Sequence, residues 1–174
     1  MAGDVTPVPS TDGHDGLERM TLDILIPTFN RCSDLAKNVR LLNTLIEEEG
    51  GGLSCRIFVS NNCSEDDTFS ILESLQTESP TELTVFNQTE NLGGEPNVVF
   101  LLQQATAERV MIVGDDDFLP AGYLREVIGL LEQSPELRAI IPGIASLYSD
   151  GTVVPERNEP FDRRLYSAGH SSVR

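Results

Sequence analysis

The chain has 174 residues, a hydrophobic share of 39%, 14 glycines and 10 prolines, the profile of a globular protein with room for one ordinary core. A formal charge of −16 with a single lysine, Lys37, excludes a surface that tracks nucleic-acid phosphates, so no nucleic-acid partner is expected. No apolar run approaches the roughly 18 residues that cross a bilayer.

Residues 1–20 lack the basic start and apolar stretch of a secretory signal and read as a disordered leader. Cys32, Cys55 and Cys63 show no zinc-type spacing, and an odd number of cysteines without an export signal points to reduced thiols and a cytoplasmic location. From residue 21 to 155, short apolar runs alternate with segments of helical period, which predicts an α/β domain with a mostly parallel sheet flanked by helices. Leu22 to Ile26 is the first predicted strand, closed by Pro27. Leu35, Val39, Leu42 and Ile46 then form one face of a helix ended by Gly50-Gly51-Gly52. The plan repeats with a strand from Arg56 to Val59 and a polar turn from Ser60 to Asp67. The next helix carries Ser64 and Asp67 at capping-box spacing and buries Leu72 and Leu75.

A third strand is predicted at Leu83 to Phe86, then a loop in which Gly93-Gly94 lets the backbone approach a neighbour closely, then a helix from about Asn97 to Ala107. Val110 to Val113 is the fourth strand, with Asp115-Asp116-Asp117 directly behind it. Pro120 suits the first turn of a helix with Leu124, Val127, Ile128 and Leu131 on its apolar face. Ala139 to Ile141 reads as a fifth strand, and Asp150-Gly151 as the turn of a hairpin between Ile144 to Tyr148 and Thr152 to Val154. Residues 156–174, with Arg157, Arg163, Arg164 and Arg174, read as an irregular tail or the start of a further region.

Ligands of an open parallel sheet bind outside the carboxyl ends of its strands. Three polar segments fall there: Pro27-Thr28-Phe29-Asn30-Arg31, Ser60-Asn61-Asn62-Cys63-Ser64 and Gly114-Asp115-Asp116-Asp117. Three adjacent carboxylates repel one another, and a hard divalent cation relieves that repulsion while leaving coordination positions for substrate phosphates. The rival reading of the triplet is a solvated helix cap. Asn61, Asn62 and Ser64 offer groups that read a base or ribose edge, or that close an Asx turn. Thr28, Asn30 and Arg31 either meet a nucleotide or cap the next helix, and the Arg31 guanidinium suits a phosphate.

Together these segments resemble the inverting glycosyltransferases of family 2, which have the GT-A fold. The resemblance rests on the run from Leu22 to Arg31, on Val59 to Thr68, on Asn91-Leu92-Gly93-Gly94, and on Val113 to Pro120. It implies a GT-A (Rossmann-like) domain truncated at its acceptor-binding half, which takes a UDP-, dTDP-, GDP- or CDP-sugar and a glycan or lipid-linked acceptor. Carried over by position, the resemblance assigns Pro27, Thr28, Asn30, Arg31, Asn61, Asn62, Gly93, Gly94 and Asp115 to the nucleotide. Asp116 and Asp117 go to Mn²⁺ or Mg²⁺. It also implies a role in polysaccharide or glycolipid assembly, compatible with self-association or with peripheral attachment to the cytoplasmic face of a membrane.

Three positions depart from the family pattern. Asn61 and Asn62 stand where aspartate is common, and Gly114 stands where a strict Asp-x-Asp motif begins. The resemblance puts the catalytic base downstream, beyond residue 174; within the chain, Asp150 and Asp162 serve only in a compressed layout. Two rivals remain at this stage. One is a catalytically incomplete nucleotide- or partner-binding module with the same fold. The other is a receiver-type domain, which needs a lysine at a strand end where this chain has Lys37 inside a helix.

Overall fold

The computed structural model describes residues 20–51, 53–148 and 150–156. The expected leader before Met20, Gly52, Asp162 and the arginines of the tail lie outside the described residues. The chain divides into two compact units, Met1–Phe118 and Leu119–Arg174.

In the first unit the elements run β1 (Met20–Thr28), α1 (Cys32–Glu49), β2 (Leu53–Asn61), α2 (Thr68–Glu78), β3 (Glu82–Asn87), α3 (Gly94–Gln104) and β4 (Arg109–Ile112). The four strands are parallel in the order β3-β2-β1-β4. The chain thus winds outward from β1 to β3, then returns past β1 to lay down β4. Right-handed crossovers put α1 and α2 on one face of the sheet and α3, whose crossover runs the other way, on the opposite face.

Both faces are dry. Leu25 and Phe58, neighbours across β1 and β2, pack with Leu101 of α3, with Phe86 and Ala105 against them. The alternate residues Ile24, Ile26, Ile57 and Val59 point the other way and are fully buried, as are Leu35, Val39 and Leu42 of α1. The predicted helix face is therefore the packed one, with Leu45 joining it more deeply than Ile46. β1 continues through Pro27, which the sequence reading placed as a stop. β4 pairs with β1 only as far as Leu25, so the proline lies where its missing N–H faces no strand on that side.

One buried charge anchors the amino end of this sheet. Asp23 has no exposed surface and accepts from Arg56 Nε and Nη2 at 2.9 Å and from the backbone N–H groups of Thr106 at 2.8 Å and Ala107 at 2.9 Å. Arg56 is its register partner on β2 and also donates to Thr106 Oγ1 at 2.7 Å. The carboxylate thereby ties two strands to the loop that leads from α3 into β4.

The second unit contains α4 (Tyr123–Gln133) and an antiparallel pair, β5 (Ile144–Leu147) with β6 (Val153–Glu156). The predicted hairpin is present, closed by Tyr148 N–H on Thr152 O at 2.9 Å and by Thr152 N–H on Asp150 Oδ1 at 2.8 Å. Two expectations fail here. Pro120 precedes the helix instead of opening it, because the left-handed Gly122 intervenes and its carbonyl takes the Glu126 N–H. Ala139 to Ile141 forms no strand; Ile141 is 72% exposed, and three residues without partners cannot make a ladder.

Candidate functional site

The winding reverses between β1 and β4, and it is at the carboxyl ends of such a pair that an open parallel sheet forms its ligand crevice. Thr28 ends β1 and Asp115 follows β4, and they meet across this crevice: Thr28 Oγ1 donates to Asp115 Oδ2 at 2.7 Å with both residues buried. Arg31, three residues past Thr28, donates from Nη1 to Asp116 Oδ2, and its Nε lies 3.8 Å from Asp115 Oδ1. Residues from the two ends of this unit, Thr28 and Arg31 with Asp115 and Asp116, thus form one polar cluster.

Burial raises the pKa of Asp115, and the Asp116 carboxylate adds to the rise; the Thr28 hydroxyl and the Arg31 guanidinium oppose it. A cation at this point therefore offsets a real desolvation cost. Asp117 behaves differently. Its carboxylate turns back to accept the Gly114 N–H at 3.2 Å, and the Asp117 N–H returns to Gly114 O at 3.2 Å. This tight turn explains Gly114: a Cβ there would lie 2.5 Å from Asp117 Oδ2. From the other side, Asn38 of α1, fully buried, donates to Gly114 O at 2.8 Å.

The loops after β1 and β2 are stapled together. Asn30 N–H donates to Ser64 Oγ at 2.9 Å, and Asn30 Oδ1 accepts the Glu65 N–H at 2.7 Å. Asp66 takes Cys32 N–H on one oxygen and Thr68 N–H on the other, each at 3.1 Å, and so caps both α1 and α2. Desolvation pushes its pKa up, but the Thr68 hydroxyl, together with the Cys32 and Thr68 N–H groups, outweighs it and holds the carboxyl below the usual range. The expected Ser64–Asp67 capping box does not form, because Ser64 serves Asn30 and Asp67 makes no side-chain cap. Asn30 and Cys63 both hold positive φ, 54° and 61°. Asparagine tolerates this region, but cysteine has no such advantage. Cys63→Gly is expected to raise stability by about 0.5–1 kcal/mol in urea denaturation, the left-handed strain relieved less the added unfolded-state entropy.

The Asn61 and Asn62 amides are buried and committed. Asn61 donates to Asn87 Oδ1 at 3.0 Å and accepts the Ser64 N–H, three residues on, at 3.1 Å. Asn62 donates to Asn91 Oδ1 at 2.9 Å and to Gly93 O at 3.3 Å, and accepts the Leu92 N–H at 2.8 Å. It thereby fixes the loop that enters α3. That helix begins at Gly94, three residues before the predicted start, because Gly93, at φ 88° and ψ 163°, can make the turn into it.

Among the predicted site residues the structure brings Thr28, Arg31, Asp115 and Asp116 into direct contact. Asn30 joins the stapled loops, Asn61 and Asn62 brace the loops beside them, and Pro27 stays in the sheet. Among the described residues no three His, Cys, Asp or Glu side chains form a metal-binding group. Asp150, the described candidate for a base, sits in the hairpin turn with its carboxyl lowered by the Thr152 bonds. Lys37 pairs with Asp34 at 3.5 Å on the exposed side of α1. The sequence reading assigns no site role to Asn38, Asp66 or Asn91, although Asp66 and Asn91 lie in segments that carry the family resemblance. Asn38 had a visible signal, a polar residue three positions after Leu35 on the apolar stripe of α1.

No helix among the described residues is long and apolar enough to cross a membrane. Residues 23–166 match the family described as Glycosyl transferase family 2. The chain is 29% identical over 135 residues to the GalNAc(5)-diNAcBac-PP-undecaprenol beta-1,3-glucosyltransferase of Campylobacter jejuni, a match covering 78% of this chain and 41% of that enzyme. It is 24% identical over 114 residues to the poly(ribitol-phosphate) beta-N-acetylglucosaminyltransferase TarS of Staphylococcus aureus, 66% of this chain and 19% of that protein. The chain thus spans well under half of each relative. Among solved structures, TarS 1–349 in complex with UDP-GlcNAc superposes with a TM-score of 0.56 at 24% identity, covering 67% of this chain and 32% of that one. The mannosyltransferase PcManGT of Pyrobaculum calidifontis, in complex with GDP-Man and Mn²⁺, gives 0.54 at 23%, covering 74% and 34%. These structures share the GT-A arrangement of a mostly parallel sheet flanked by helices. With more than four fifths of its length matched, this chain belongs to glycosyl transferase family 2.

Proposed function

We propose that the chain is the donor-binding part of a glycosyltransferase that moves a sugar from a nucleoside-diphosphate sugar to an acceptor hydroxyl, with inversion and with a divalent cation. The observation that carries this reading is the Thr28–Asp115 and Arg31–Asp116 cluster at the sheet's switch point. The glycan-assembling activities named for the Campylobacter and Staphylococcus relatives support a glycan or lipid-linked acceptor. PcManGT, with its GDP-Man and Mn²⁺, supports the cation.

The donor set fits a hard cation. Asp115 and Asp116 present carboxylate oxygens to one point, a guanidinium already lies on both, and Mg²⁺ or Mn²⁺ commonly takes only one or two carboxylates before water and phosphate complete its shell. When bound, such an ion supplies Lewis-acid stabilisation of the departing nucleoside diphosphate. Thr28 orients Asp115, Asn38 and Asp117 set the turn that presents both acids, and Arg31 offers a forked donor to phosphate. Pro27, Asn30, Gly93 and Gly94 border the nucleotide, with Asn61 and Asn62 holding that border in place. The base that takes the acceptor proton is not assigned to any described residue.

Titration calorimetry with UDP, GDP, dTDP and CDP, each with Mn²⁺, is expected to show binding of at least one nucleotide. Its affinity should fall as pH is lowered toward the raised pKa of Asp115, since the proton and the metal compete for that carboxylate. No binding of any of UDP, GDP, dTDP and CDP with Mn²⁺ would reject the reading. Donor hydrolysis by the purified chain would distinguish an enzyme from a binding module of the same fold.

A further inference from the structure

We propose that Arg31 is a resident counter-cation for the acidic pair, one that a divalent ion displaces readily only when a diphosphate is there to receive the guanidinium. This rests on the donor-binding reading above and goes beyond it, since it makes metal and nucleotide binding mutually dependent through one side chain.

The guanidinium now occupies the ground a metal needs. Its Nη1 is on Asp116 Oδ2 and its Nε is 3.8 Å from Asp115 Oδ1, while the other Asp115 oxygen is held by Thr28. A divalent ion on those oxygens is repelled by a guanidinium a few ångströms away, so the two compete for them. The arginine is built to move without disturbing the fold. Its backbone is fixed at the start of α1, where its carbonyl accepts the Leu35 N–H at 3.0 Å, whereas its side chain is 49% exposed. Rotation therefore unpacks no core. A released guanidinium needs an anion, and a diphosphate offers bidentate acceptors within the reach of a side chain rooted between β1 and α1. Metal alone must compete with Arg31, whereas metal arriving with a diphosphate need not.

The test measures Mn²⁺ binding by the electron paramagnetic resonance of the free ion, alone and with UDP, GDP, dTDP or CDP, in the wild type, Arg31→Gln and Arg31→Lys. Removing a half-exposed partner should tighten Mn²⁺ alone by about fivefold in Arg31→Gln, the equivalent of a good surface ion pair. The same variant should bind nucleotide in saturating Mn²⁺ about tenfold or more weakly, the loss of a charge-assisted hydrogen bond. Arg31→Lys, which keeps the charge, should keep Mn²⁺ alone near its wild-type affinity. An unchanged or weaker affinity for Mn²⁺ alone in Arg31→Gln would overturn the inference while leaving donor binding intact, and so would an unchanged nucleotide affinity. Failure of the wild type to bind any of UDP, GDP, dTDP and CDP with Mn²⁺ would instead remove the donor-binding reading, and this inference with it.

Discussion

Asp23→Ala is expected to lower the unfolding free energy by about 3–5 kcal/mol, the cost of breaking a buried ion pair from one side. The reason lies in what the carboxylate leaves behind. Arg56 is partly exposed and can recover some hydration, but the Thr106 and Ala107 N–H groups point at the vacated position and lose their acceptor. Each orphaned donor costs about 1–3 kcal/mol by itself. Asp23→Asn should fall between wild type and Asp23→Ala, since an amide oxygen still accepts from the backbone while its NH₂ group opposes Arg56. Urea denaturation followed by circular dichroism checks both variants. A loss below about 1 kcal/mol in Asp23→Ala would mean that the loop relaxes to find other acceptors.

Asp116→Ala is expected to weaken Mn²⁺-dependent nucleotide binding by about 100-fold or more, because removing even an outer-shell partner of a metal ligand costs 10–100-fold. Its side chain is 46% exposed, so the melting temperature should stay near that of the wild type and the loss will report on the site. Asp117→Ala makes the contrast. Its carboxylate faces Gly114 and not the crevice, so its removal should loosen the turn with a smaller loss of affinity. Calorimetry on both variants decides the matter. Equal losses would place Asp117 on the metal, while no loss in Asp116→Ala would move the cation elsewhere.

The layered plan was legible because it is written in local periodicity. Leu35, Val39 and Leu42 mark the packed stripe of α1, and the apolar runs around Ile24, Val59 and Val85 mark three strands. Errors arose where a distant partner decided the outcome. Ser64 and Asp67 have capping-box spacing, yet Asn30 claimed Ser64 and Asp66 took the capping of α2 through the Thr68 N–H. Asn61 and Asn62 read equally well as base contacts and as turn formers. Their actual partners, Asn87 and Asn91, lie 26 and 29 residues away and carry no spacing rule. Ala139 to Ile141 failed for a simpler reason, that a short apolar run says nothing about whether a strand is available beside it.

The stapling of the β1 and β2 loops bears on how a ligand is received. Asn30, Ser64, Glu65 and Asp66 lock that rim during folding, so the conformational entropy of ordering it is not charged against the ligand on arrival. Nucleotide docking on this side should then resemble a key meeting a finished lock, with little backbone displacement and no large heat-capacity change from loop folding. On this rim, adaptation to different donors falls to the half-exposed Arg31 side chain and the short turn from Gly114 to Asp117.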